Sequence, residues 1–231
     1  MKILGVILAR SGSKGLPNKN TLPINNKTLI EHSVESSLAA QTLSHVIFST
    51  DDNEYAQLAK SSGVKCSIIR PSDLASDRAS TWDVVRHAVE FFEEFEQTEI
   101  DIVAVIQPTT PLRTFQHIDK TVLMVAEEGF EAAMTVREVQ YPLEWMFWIN
   151  ERKQAVSVLS DSKKISRRQD AAKVFQPAGT AYAVTRRRLY SDEPLKKDGL
   201  GLVKVPYRQS INIDTIEDYY LAKIIGEGIG E

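Results

Sequence analysis

The sequence predicts a three-layer α/β fold around a mostly parallel sheet. Two observations carry that expectation. Short apolar runs of strand length recur along the first 130 residues, and between them lie stretches with apolar residues at helical spacing. A third is length, since 231 residues, 42% hydrophobic and 26% charged, suffice for one sizeable core. The opening run KILGVILA is apolar almost throughout, as expected of a strand covered on both faces. TLIEHSVESSLAA carries Leu29, Ile30, Val34 and Leu38 at helical spacing, HVIFST reads as a strand, and NEYAQLAKSSG reads as a helix stopped at Gly63. VKCSII is the next strand. In STWDVVRHAVEFFEEF, Val84, Val85, Ala88, Val89, Phe92 and Phe95 form one stripe, with Ser80 or Thr81 as the cap. DIVAVI and FQHIDKTVLMVAEEG complete a further strand and helix. This alternation implies parallel strands, and such sheets take ligands beyond the carboxyl ends of their strands.

Near residue 138 the rhythm changes. VQYPLEWMFWINERKQAVSVL is aromatic and strand-like, and SDSKKISRRQDAAKVFQPAG is polar and basic. Trp145 and Trp148 beside Tyr141, Met146 and Phe147 fit either a second small core or a dimer surface. GTAYAVT and LGLVKV then resume as strands and TIEDYYLAKIIGEG closes as a helix. The reading is one domain over 1–231 with an inserted arm at 138–176.

Net charge of −3 argues against nucleic acid, and Arg186 to Arg188 read as a solvated face or interface. No stretch approaches a membrane span, and Ile3 to Leu8 is too short for a signal-peptide core. Cys66 is the one cysteine, which excludes an internal disulfide and fits a reducing cytoplasm. His32, His45, His87 and His117 lack the spacing of a zinc site.

The stretch RSGSKGLPNKN at 10–20 carries the chemistry. It is neither a Walker loop nor a dinucleotide fingerprint. Gly12 and Gly15 nonetheless let backbone N–H groups converge on an anion, Ser13 adds a donor, and Arg10, Lys14 and Lys19 supply positive charge. Its place after the first buried strand favours a phosphate cradle over a solvated loop.

ILARSGSKGLPNKN resembles the signature loop of the CMP-acylneuraminate synthetases, the sialic-acid-activating cytidylyltransferases. STDD (49–52), RPSDLASDRAST (70–81), QPTTPLR (107–113), RRQD (167–170) and INIDTIED (211–218) resemble that family's further blocks, in its order. The resemblance implies a sheet of the nucleotide-diphospho-sugar transferase type. It also implies transfer of CMP from CTP to a nine-carbon acidic keto-sugar with Mg²⁺, and a homodimer formed through the arm. It places Arg10, Ser13, Lys14 and Lys19 on the triphosphate, and Asn20, Arg70, Asp77, Ser80 and Thr81 around the cytidine. Gln107, Thr109, Arg113, Arg168, Gln176 and Tyr182 go to the sugar acid, and Asp214 and Asn212 to the metal. Arg10, Lys19 and Asp214 form the reactive core of this set.

Two departures stand out. Relatives commonly carry Asp-x-Asp where this chain has Asn212 and Asp214, which makes Asp214 the main metal candidate. Where sialic-acid enzymes tend to show Arg-Pro-Asn-Gly, this chain has Gln176 and Ala178, a hint that the acceptor differs from N-acetylneuraminate. Legionaminic and pseudaminic acids are the candidates. No histidine falls in a matched block, leaving Asp214 or water on the metal to take the acceptor's proton. Two alternatives are an eight-carbon keto-deoxyoctulosonate enzyme, whose loop usually has a different pattern, and a non-catalytic nucleotide sensor, favoured by Asn212.

Overall fold

The computed structural model describes residues 1–12, 15–159 and 165–228. In chain order it contains β1 (Ile3–Leu8), β2 (Pro23–Ile24), β3 (Lys27–Thr28), α1 (Leu29–Leu38), β4 (His45–Thr50), α2 (Asn53–Ser61), β5 (Cys66–Ile69), α3 (Thr81–Glu96) and β6 (Ile102–Ile106). There follow α4 (Phe115–Ala126), β7 (Ala132–Glu138), β8 (Phe147–Ile149), β9 (Ala155–Ser157), β10 (Phe175–Thr185), α5 (Arg186–Leu189), β11 (Leu200–Lys204) and α6 (Ile216–Gly226).

Seven strands form one sheet in the order β11-β7-β10-β6-β1-β4-β5. All run parallel except β10, which pairs antiparallel with both β6 and β7. Alternation along β1 fixes the layers. Ile3 and Ile7 face a core shared with Ile30 and Val34 of α1, Tyr55 of α2 and Ile118 and Val122 of α4. Leu4 and Val6 face the other core, with Val85, Ala88, Val89 and Phe92 of α3 and Leu189 of α5. Each such aliphatic or aromatic side chain contributes about 1.5–3 kcal/mol on burial, so both faces of the central strands are strongly specified. The helix stripes read from the sequence are largely the faces that pack here, except that Leu38 at the end of α1 and Phe95 at the end of α3 are exposed.

Local chemistry sets the ends. Ser80 caps α3, accepting from Trp82 N at 3.2 Å, and Asp52 caps α2, accepting from Glu54 N at 2.7 Å and Tyr55 N at 3.1 Å. Asn25 and Asn26, at φ 50° and 60°, form the two-residue turn between β2 and β3, where left-handed residues match the strand twist.

A third apolar cluster, Ile24, Leu29, Ile211, Ile213, Tyr219 and Ala222, ties the β2–β3 hairpin and the start of α1 to the 211–213 segment and α6. It brings the chain around residue 214 alongside the loop that follows β1. In β10 the register shifts between Pro177 and Tyr182, where Thr135 Oγ1 accepts from Thr180 N and Ala181 N, both at 3.1 Å. In the 138–176 region, β8 and β9 form a hairpin closed by Asn150, whose Oδ1 accepts from Arg152 N and Gln154 N. Trp148 and Ile149 on that hairpin are 67% and 80% exposed, so the aromatic stretch is not a closed second core within one chain. Among the described residues no helix is long and apolar enough to cross a membrane.

Candidate active site

At the carboxyl edge of the sheet the chain leaves β1 at Arg10, β4 at Asp51, β5 at Arg70 and β6 at Gln107. A cavity of about 480 Å³ opens above these strand ends. Arg10, Gly15, Lys19, Asn20, Arg70, Asp77, Thr81, Gln107, Thr109, Asn212 and Asp214 all line it, although they come from four separate sequence blocks. Ser13 and Lys14 lie outside the described residues.

Each cation at the cavity is held by a carboxylate. Arg10 pairs with Asp77 at 2.7 Å, and Lys19 Nζ donates to Asp214 Oδ1 at 2.9 Å and to Ile213 O at 3.0 Å. Arg70 lies 3.6 Å from Asp51. Arg70 is buried, and desolvation lowers its pKa from the ordinary arginine value, with Asp51 opposing that shift and Arg10 adding to it. The glycine loop is docked onto the opposite wall: a Cβ on Gly15 would stand 2.7 Å from Asp214 O. Asn20 is buried and donates from Nδ2 to Arg10 O at 2.9 Å, fixing the loop's start to its end. Thr81, the first residue of the 16-residue α3, points that helix's N-terminus, with its partial positive charge, into the cavity.

The β6–α4 loop is equally fixed. Thr109 O accepts from Ile213 N at 2.7 Å, and Thr110 Oγ1 donates to Gly179 O at 3.2 Å. Arg113 is buried and donates from Nε and NH2 to the loop itself, through Thr110 O at 3.2 Å, Thr110 Oγ1 at 2.9 Å and the carbonyl of Gln107, while its NH1 has no partner. Burial pushes its pKa down to about 9. In this structure Arg113 does not line the cavity, and its hydrogen bonds tie the β6–α4 loop instead of facing the space an acceptor would fill.

Other expected contacts are also redirected. Ser80 caps α3 and does not line the cavity. Tyr182 packs against the α3-side core, where burial raises its pKa. Gln176 sits opposite Arg137 across the β10–β7 pairing, and with its amide assigned so that the oxygen faces the guanidinium it accepts from Arg137 Nε at 2.6 Å and NH2 at 2.8 Å. Arg137 also donates to Ser210 O and lies over the Tyr207 ring. Arg168 is exposed and lines a separate cavity of about 300 Å³ with Tyr141, Pro142 and Lys173. Asn212 presents its amide nitrogen to Asp214, Nδ2 to Oδ2 at 2.5 Å, while its Oδ1 is buried without a partner. In this arrangement the Asn212 amide nitrogen donates to Asp214, and only its oxygen has the lone pairs a metal could use.

The donor set suits a hard divalent cation in one specific way. Among the described residues no cluster of three or more His, Cys, Asp or Glu side chains exists to hold a metal. Two exposed carboxylates line the cavity, Asp77 paired with Arg10 and Asp214 paired with Lys19, and Asp214 beside the glycine loop fits a Mg²⁺ that would take its remaining ligands from phosphates and water. Asp51 was not among the residues expected at the site. Its only sequence signal is its place just past a strand end within STDD.

A cationic glycine loop after the first strand, a helix N-terminus and the exposed Asp214 around a cavity at the strand ends are the features of an α/β nucleotidyltransferase. The chain belongs to the cytidylyltransferase family, whose sequence model matches residues 4–220. It is 32% identical over 230 residues to the pseudaminic acid cytidylyltransferase of Campylobacter jejuni subsp. jejuni serotype O:2, covering 97% of this chain and 96% of that one. It is 28% identical to the CMP-N,N'-diacetyllegionaminic acid synthase of Legionella pneumophila, over 98% and 97% of the two chains. Among solved structures, a CMP:2-keto-3-deoxy-manno-octonic acid synthetase complexed with CTP shares the fold at a TM-score of 0.69, with 21% identity and 99% of both chains covered.

Proposed function

We propose that this cytidylyltransferase joins CMP from CTP to a nine-carbon acidic keto-sugar of the pseudaminate and legionaminate class, releasing pyrophosphate. The observation that carries the reading is the convergence of Arg10, Lys19, Arg70 and the α3 N-terminus on one cavity closed by Asp214. The acceptor's anomeric oxygen forms a bond to the α-phosphorus, the α–β phosphoanhydride bond breaks, and its electron pair leaves on pyrophosphate. The anomeric proton passes to solvent or to a carboxylate at the cavity.

Within the chain, Arg10 and Lys19 neutralise charge that grows on the phosphoryl oxygens and leaving group, which is where preorganised cations act most strongly. To do so both exchange their present carboxylate partners for phosphate. Thr81 and Arg70 orient the nucleotide, and Gln107 and Thr109 offer polar groups to the acceptor. Asp214 is the residue that would hold Mg²⁺ together with the triphosphate, and the ion when bound adds charge neutralisation there.

With Arg113 committed to its loop, the acceptor's carboxylate needs another cation. We assign this to Arg168, delivered by the 138–176 arm of a second copy in a homodimer. The exposed Tyr141, Phe147, Trp148 and Ile149 on that arm support the assignment. Dependence on CTP and the lone Cys66 fit a cytoplasmic enzyme.

The test is a ranking of kcat/KM over N-acetylneuraminate, diacetyllegionaminate, diacetylpseudaminate and the eight-carbon acid, each with CTP and Mg²⁺. The pseudaminate and legionaminate acids are expected to lead. Preference for the eight-carbon acid would overturn the acceptor class.

A further inference from the structure

Asp51 is an acidic residue beside the site that the reaction as set out above does not use. It is the first residue past β4, and β4 lies between β1 and β5 in the sheet. A carboxylate at that place stands between two neighbouring strand exits, hydrogen-bonded to one and at ion-pair distance from the other. Oδ1 accepts from Ser11 N at 3.0 Å and Oδ2 from Ser11 Oγ at 2.8 Å, on the loop leaving β1. On the other side Oδ1 lies 3.6 Å from Arg70 NH2, at the exit of β5. The adjacent Asp52 has a different task, capping α2, so the two acids of the pair are not interchangeable.

Arg70 depends on this arrangement. It is 6% exposed, its Nε is buried without a partner, and the nearby Arg10 opposes its charge. A buried guanidinium keeps its charge and its place only when a carboxylate offsets the loss of water. Among the described residues Asp51 is the carboxylate within ion-pair distance of Arg70. Asp51 itself does not line the cavity, whereas Arg70 and Arg10 do.

We propose that Asp51 is a positioning residue for the nucleotide: one carboxylate that fixes Arg70 against the cytidine side of the cavity and the start of the glycine loop against its phosphate side. The proposal rests on the nucleotide reading of the cavity. It sets Asp51 apart from Asp77 and Asp214, whose cations must be released to phosphate. The Asp51–Arg70 pair stays made throughout turnover.

The replacement Asp51→Asn separates charge from shape. The amide oxygen still accepts from Ser11 N, and the amide nitrogen can donate to Ser11 Oγ, so the loop keeps its anchor while Arg70 loses its counter-charge. Wild type, D51N, R70M and the double variant are compared by CTP calorimetry with Mg²⁺ and by steady-state kinetics with CTP and acceptor varied separately. D51N is expected to weaken CTP binding and raise the CTP KM by about tenfold, as befits removing the counter-charge beside a buried guanidinium. The acceptor KM should not move, and D51N should add nothing in the R70M background.

Unchanged CTP affinity in D51N, or the same loss with and without Arg70, would overturn the proposal. Asp51→Ser, which removes the charge but keeps a small acceptor, is read alongside. Loss of fold in both Asp51 variants, judged by circular dichroism, would also overturn it by making Asp51 a purely structural residue. Failure of the wild type to bind CTP would instead remove the nucleotide reading on which the inference stands.

Discussion

Gly15→Ala isolates the contact between the glycine loop and the Asp214 segment. Gly15 is not among the residues with positive φ, so alanine there meets no backbone strain. It meets Asp214 O at 2.7 Å, a backbone atom that no rotamer change can move. Restoring an ordinary contact of about 3.3 Å requires the loop and the Asp214 segment to part by roughly 0.6 Å. Because a 1 Å misplacement of reacting groups costs up to about a hundredfold, this shift should lower kcat/KM for CTP by about 10- to 100-fold, or roughly 1.4–2.7 kcal/mol.

Gly5→Ala is the matched control. Its Cβ would also fall 2.7 Å from a neighbour, but that neighbour is Leu43 Cδ1, the end of a flexible side chain remote from the cavity. Overpacking there should cost about 1–3 kcal/mol of stability, a few degrees in Tm, and leave activity within about twofold. Both variants are read by initial rates at saturating acceptor and by thermal unfolding. Full activity in Gly15→Ala, or equal activity loss in both, would refute the reasoning.

Three further outcomes are expected. Asn212→Asp replaces a 2.5 Å donor to Asp214 with a second carboxylate, so the metal-free protein should lose about 1 kcal/mol after solvent screening and gain a larger Tm rise on adding Mg²⁺ than wild type; thermal unfolding with and without Mg²⁺ checks both. His117 Nδ1 accepts from Thr114 N at the start of α4, and burial together with Lys120 and Arg113 holds its pKa below the ordinary histidine value of 6.5. Between that folded value and 6.5 the unfolded chain binds the extra proton, so stability should fall as pH drops below about 6.5, and His117→Gln should remove this step while leaving the acid loss tied to Glu31, Glu93 and Asp218 at lower pH. Comparing Tm against pH for the two proteins decides it. Trp148→Ser should shift the sedimentation profile toward monomer and raise the acceptor KM if the exposed arm joins two copies; a wild-type monomer at assay concentration would contradict the arm's role.

Much of the fold was readable because its central strands are apolar on both faces and its helices carry one clear stripe each. β7 was not, because AAMTVRE is built from small and polar residues whose burial comes from pairing with β10 and β11 rather than from hydrophobicity. Nothing in GTAYAVT signals that its strand runs against its neighbours or starts four residues earlier, at Phe175; both follow from where the arm returns the chain. The site shows the same division. Blocks 10–20, 70–81, 107–109 and 212–214 were brought to one site by the family resemblance, and for 10–20 and 107–109 the place just past a strand end agrees with it. Arg113, Ser80, Tyr182 and Gln176 could not be placed, because loop ties, a helix cap and strand alternation set their directions. Asp51 escaped notice because its task is to hold other residues, and that shows only when three strand exits are seen side by side.

The most direct measurement is mass-resolved product analysis of the protein with CTP, Mg²⁺ and diacetylpseudaminate, with pyrophosphate counted in the same tube. A CMP-sugar acid and pyrophosphate in equal amounts is the expected result, with the acid's anomeric oxygen bonded to the α-phosphorus. CTP left intact, or split to CMP and pyrophosphate with no sugar conjugate, would contradict cytidylyl transfer to a nonulosonic acid.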